Sequence, residues 1–158
     1  MPNIADLQSN CRHPERTAYI TDAAYLSLLL HGRRSWPEEA CGLLIRRGAS
    51  DGCPAAADAA IALRNAHPAP GRAFAFDPAE WVETFCRIQA DGHTVVGWYH
   101  THPRTAPVPS LQDAAGAAGL SGLTCWILSL RRPESPELRA YRVTAGRFDP
   151  LMVAQISV

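Results

Sequence analysis

The stretch Gly97-Trp98-Tyr99-His100-Thr101-His102-Pro103, followed six residues later by Ser110-Leu111-Gln112-Asp113, decides how this chain is read. The apolar run before His100 predicts a strand over residues 94–99, and on an extended chain residues two apart point to the same side. His100 and His102 can therefore turn their imidazoles toward one ion. The prolines at 103, 107 and 109 predict a loop over 101–109. Ser110 then opens a small-residue helix reaching to about residue 119. Asp113, one turn into that helix, can add an oxygen ligand. Two nitrogens and one oxygen leave the fourth tetrahedral position to water, which is the arrangement of a catalytic zinc rather than a structural one. Each part also has a plain reading. An isolated His-x-His is weak evidence of a metal, and Ser110 with Asp113 serves equally as N-cap and first-turn acid of a helix.

Working outward, residues 16–20 suggest a first strand. Thr21 or Asp22 caps a helix running to about Arg34, with Ala24, Leu26, Leu29 and Leu30 on its apolar face, and Trp36-Pro37 closes it. Residues 40–45 form a short apolar run, expected to be a buried strand. Just before it lies Glu39, which beside Glu38 fits a solvated polar turn as well as a site. A further strand is expected over 56–64, and a loop over 65–72. Asp77-Pro78 starts a second helix as N-cap and first-turn proline; its buried face is expected at Trp81, Val82, Phe85 and Ile88, with Asp91-Gly92 as its end. Residues 123–130, 138–144 and 147 onward read as three closing strands. The class is α/β or α+β with a mixed sheet flanked by helices. One domain over residues 16–158 is expected, with residues 1–15 as a flexible N-terminal arm.

Composition narrows the function. The 158 residues carry 15 basic and 15 acidic side chains, so there is no basic excess for nucleic acid. No apolar run approaches the roughly 20 residues of a membrane span, and the N-terminus lacks a signal-peptide centre. A cytoplasmic setting follows as the expectation. Five cysteines (Cys11, Cys41, Cys53, Cys86, Cys125) include no Cys-x-x-Cys pair, which argues against a disulfide framework or a cysteine-rich zinc site. There is no His-Glu-x-x-His helix and no deaminase-type Pro-Cys-x-x-Cys. All 15 basic residues are arginine. GC-rich coding accounts for that, since alanine, glycine and proline are also abundant; a chain working beside a lysine-modifying system would also gain by carrying no lysine.

Taken together, these residues resemble the JAMM (JAB, or MPN-plus) metalloproteases. His100-Thr101-His102-Pro103, six residues, then Ser110-x-x-Asp113 matches that family's metal signature. Pro37-Glu38-Glu39-Ala40-Cys41-Gly42-Leu43-Leu44 looks like its glutamate strand, where the acid stands three before glycine, a register that selects Glu39 over Glu38. Asn65 with Phe74-x-Phe76-Asp77-Pro78 looks like its middle segment. The resemblance spans roughly residues 16–144. It implies a single zinc ion held by His100, His102 and Asp113, Glu39 as general base, Ser110 as oxyanion donor, and the α/β layering shared with cytidine deaminases. It treats Cys41 as strand packing. It further implies hydrolysis of the amide after the Gly-Gly tail of a ubiquitin-like protein, as deconjugation or maturation, in some bacterial members within antiphage operons. In other members cysteine is released from a sulfur-carrier protein instead. A metal-free MPN scaffold and a general small-amide hydrolase are the other readings. The loops over 65–76 and 101–109 are expected to flank the cleft, with Arg72 or Arg104 available to a carrier. Cys11 in the arm is placed within reach of the metal only as a remote inhibitory ligand.

Overall fold

The structure, a computed structural model, describes residues 16–48, 56–117, 120 and 122–157. The expected arm over 1–15, with Cys11, lies outside the described residues, as do Ala118 and Gly119 at the expected end of the third helix. In chain order the elements are β1 (Thr17–Thr21), α1 (Asp22–Ser35), β2 (Cys41–Arg46), β3 (Ala59–Leu63), α2 (Pro78–Ala90), β4 (Thr94–His102), α3 (Leu111–Gly116), β5 (Thr124–Ser129), β6 (Glu137–Thr144) and β7 (Arg147–Ile156). The starts of the first two helices follow their capping chemistry. Thr21 accepts the Ala24 N–H and Asp77 that of Glu80, each satisfying an orphan donor of a first turn. The expected strand over 94–99 runs on through His102, so both histidines lie on the pleat rather than in the loop.

All seven strands form one mixed sheet in the order β1-β7-β6-β5-β4-β2-β3. β4 and β5 are parallel, as are β1 and β7, and the other pairs are antiparallel. The sheet curls until its edges meet, where Ile20 of β1 bridges Ala57 just before β3. The pleat divides the core in two. Leu44, Tyr99, Trp126, Leu128 and Ala140 pack with α1 on one face. Leu43, Trp98, Cys125, Ile127 and Val143 pack on the other, with Ile88 of α2 and Ala117 after α3. Trp98 belongs to this second core.

The helix faces differ from expectation in part. α1 buries Ala24, Leu28, Leu29 and Gly32, while Leu26 and Leu30 are exposed at 53% and 39%. Small residues at 24 and 32 let the helix sit low on the sheet: a Cβ added to Gly32 would lie 2.9 Å from Thr101 Cγ2. Contact is thereby confined to a narrow stripe, and the outer leucines are left in solvent. In α2, Thr84 and Ile88 are buried, Trp81 and Phe85 are half-buried and Val82 is exposed. No helix among the described residues is long and apolar enough to cross a membrane.

Candidate metal centre

The site forms at the C-terminal end of β4. His100 and His102 share a face of that strand with Trp98, and their Nε2 atoms lie 3.2 Å apart. Beside His100 in the sheet runs Cys41, so Glu39, two residues earlier, leads into the same corner. Thr101, between the histidines, fixes this register from both sides. Its N–H donates to the Ala40 carbonyl at 2.9 Å, and its Oγ1 accepts the Ala40 N–H at 2.8 Å. The strand carrying the glutamate and the strand carrying the histidines are thus stitched together next to both groups.

The third contributor arrives on α3. Ser110 Oγ accepts the Asp113 N–H at 3.0 Å, and Asp113 Oδ2 accepts the Ser110 N–H at 2.8 Å. These reciprocal bonds form a capping box, which fixes where the carboxylate points. Asp113 Oδ1 stands 3.1 Å from His100 Nε2, and Oδ2 stands 3.3 Å from His102 Nε2. One ligand-type atom from each of Glu39, His100, His102 and Asp113 falls within 4.8 Å of the other three. All four residues are buried. The cap reading of Ser110 holds, and accepting that bond leaves its hydroxyl hydrogen free to donate elsewhere.

A cation fits this donor set. Around an ion with bonds of about 2.0–2.1 Å, tetrahedral ligand atoms stand roughly 3.3 Å apart, close to the 3.2 Å between the two histidine Nε2 atoms, while Asp113 turns a different carboxylate oxygen to each histidine, at 3.1 and 3.3 Å. His102 Nδ1 lies 2.8 Å from the Ala106 carbonyl, so in the neutral ring it carries the proton and Nε2 turns a lone pair into the cluster. Glu39 Oε1 is buried with no hydrogen-bond partner, an orphan acceptor on a residue whose carboxylate reaches the cluster.

The electrostatics point the same way. Burial pushes the Glu39 carboxyl up to about 7, against the lowering influence of a charged His102 and with a smaller upward push from Asp113. Burial lowers the basicity of His100. Burial acts on His102 likewise, but is outweighed by hydrogen bonds to Asp113 and Ala106, so its pKa rises. Asp113 is raised by burial, yet hydrogen bonds from both histidines hold it well below the usual carboxylate range. The corner therefore pairs a firmly ionised carboxylate with one that titrates near neutrality.

Two groups that sequence reasoning passed over also shape the site. The Phe74 ring stacks on His100 with centroids 4.4 Å apart, and Asn65 binds the Glu39 carbonyl at 3.0 Å. Both lie in the segment noted for its resemblance, but their partners are a ring and a backbone carbonyl far away in sequence, so spacing could not reveal the contacts. Cys41 is buried, its thiol pushed up to about 12 by burial, and Sγ faces the Leu63 carbonyl; it is packing, not a nucleophile. Arg104 lies over the Trp36 ring, and Arg72 is exposed; neither joins the cluster.

Comparison with known proteins identifies the family. Residues 21–144 match the model of prokaryotic homologs of the JAB domain. A desampylase from Haloferax volcanii is 34% identical over 136 residues, covering 81% of this chain and 88% of its own. The CysO-cysteine peptidase of Mycobacterium tuberculosis is 29% identical over 120 residues, covering 76% and 78%. Among solved structures, a protein from Desulfitobacterium hafniense is 27% identical, superposing with a TM-score of 0.78 over 89% of this chain and 94% of that one. A JAB1/MPN domain protein from Archaeoglobus fulgidus shares the fold at 18% identity, with a TM-score of 0.55 over 87% and 98%. By the model match over most of its length and by its likeness to the desampylase, the chain belongs to the prokaryotic JAB family, whose curated relatives here are peptidases.

Proposed function

We propose that this protein is a zinc-dependent peptidase that hydrolyses the amide bond after the C-terminal Gly-Gly of a ubiquitin-like or sulfur-carrier protein. The convergence of buried Glu39 on the corner made by His100, His102 and Asp113 carries the reading. Two imidazoles and a carboxylate make a donor set suited to zinc, with a position left for water. The bound ion would supply water activation near neutral pH and polarisation of the scissile carbonyl. Glu39 accepts the proton of the attacking water and delivers it to the leaving amine nitrogen. The Ser110 hydroxyl donates to the carbonyl oxygen as negative charge grows on it.

The substrate class rests on the relatives. One is a desampylase, and another, from Thermus thermophilus, is a probable TtuB-protein conjugate cleaving protease. Cleavage of a conjugate is the first reading. Release of cysteine from a carrier is the second, favoured by the likeness to the CysO-cysteine peptidase. A metal-free scaffold is disfavoured by the intact set of Glu39, His100, His102, Ser110 and Asp113. A cytoplasmic setting belongs to the same proposal.

The test is an intact-mass assay of the zinc-loaded protein and its Glu39→Gln variant. The probes are a ubiquitin-like carrier extended by a peptide beyond Gly-Gly, and the same carrier bearing only a C-terminal cysteine. Cleavage directly after Gly-Gly, lost on chelation and reduced by about 10²–10⁴-fold in Glu39→Gln, supports the proposal, and the preferred probe chooses between the branches. Zinc bound one to one with neither probe cut would refute it.

A further inference from the structure

Asn65 lies just past β3, in the isolated bridge with Phe76, and uses its whole amide. Nδ2 donates to the carbonyls of Glu39 and Ala73, each at 3.0 Å, and approaches that of Pro70 at 3.4 Å. Oδ1 accepts the N–H groups of His67 at 3.0 Å and Ala75 at 3.2 Å. The Pro70 carbonyl in turn accepts the Glu39 N–H at 2.7 Å. Both backbone polar groups of Glu39 are therefore held by this loop rather than by the sheet, while its Oε1 has no partner of its own. Those anchors fix the backbone from which that carboxylate departs. The same amide grips Ala73 and Ala75 on either side of Phe74, whose ring stacks on His100.

We propose that Asn65 is a positioning residue for the reaction. Through backbone contacts alone, its amide aims the Glu39 carboxylate and seats Phe74 against His100. The proposal rests on Glu39 and His100 having the roles given above. A residue in such a supporting position changes metal affinity or turnover by about 10–100-fold when removed.

Two variants test it. Asn65→Ala removes both halves of the amide, whereas Asn65→Asp keeps the acceptor oxygen and loses the donors that reach Glu39 and Ala73. Each is measured for the zinc dissociation constant by chelator competition, for its melting temperature, and for kcat and KM on the Gly-Gly-extended carrier with zinc saturating. The expected result is a tenfold or larger fall in kcat for both variants, KM within about twofold of wild type, and zinc held at least tenfold more weakly in Asn65→Ala. A kcat per bound zinc within twofold of wild type would overturn the proposal, as would a loss confined to KM. Were the wild type to hydrolyse nothing, the proposed function would fall by itself. The zinc constant would still decide on Asn65, an unchanged value in Asn65→Ala removing it.

Discussion

A glutamate that titrates near 7 leaves a mark on stability as well as on chemistry. Unfolded, Glu39 gives up its proton near the ordinary value of 4.5; folded and metal-free, it keeps that proton to about 7. Between those values the unfolded chain binds fewer protons than the folded one, so the contribution of Glu39 to stability falls as pH rises. Metal-free Glu39→Gln should accordingly gain melting temperature over metal-free wild type as pH goes from 4.5 to 7, with the gap constant beyond; a gap that does not change with pH refutes the shift. Ser110 allows a second separation of roles. Ser110→Ala removes a cap bond worth about 1 kcal/mol and, on the proposed mechanism, an oxyanion donor worth about 10²–10³ in kcat. Turnover assayed well below the melting temperature should fall by far more than the cap loss explains, and unchanged turnover would leave Ser110 a cap only. The residues that meet at the site were legible in the sequence because their side chains stand in recognisable types at short spacing. The stitch made by Thr101 and the grip of Asn65 were not, since backbone carbonyls have no residue type to read.

At the level of elements, the pairing of β2 with β4 holds the glutamate and the histidines together, and Gly42 is where that pairing has least room. A Cβ at Gly42 would lie 2.6 Å from the Tyr99 ring and press on the Ile61 carbonyl. Tyr99 directly precedes His100 on β4, so a displacement of its backbone would move the site. Gly42→Ala should cost about 1–3 kcal/mol by overpacking and weaken zinc binding as well. A denaturation midpoint and zinc affinity both equal to wild type would refute the close approach. The glycine three residues after the glutamate was plain in the sequence, though its steric reason needed the partner strand. The buried stripe of α1 was half-legible. Leu26, Leu28, Leu29 and Leu30 crowd several helix faces at once, and the phase is settled instead by Ala24 and Gly32, whose small size is a weak signal without the sheet beneath.

For the molecule as a whole, the site is a junction of three separate segments: Glu39 before β2, the histidines on β4 and Asp113 on α3. An ion binding there stabilises the fold by mass action, by about 4 kcal/mol at a free concentration a thousandfold over Kd. Chelation should therefore lower the melting temperature by roughly 8–16 °C for a domain of this size, restored on adding zinc; an unmoved melting curve would deny the ion a structural stake. The mixed sheet and its closing hairpins could be anticipated from the order of apolar runs. The parallel pairing of β1 with β7 could not, because it joins residues more than a hundred positions apart that carry no complementary pattern. That pairing has a mechanical consequence. β1 and β7 run the same way side by side from Thr17↔Met152 to Thr21↔Ile156. Tension applied at residues 16 and 157 would pull the two strands lengthwise in opposite directions. The ladder bonds, lying across the load, would have to give way together in shear instead of unzipping one by one.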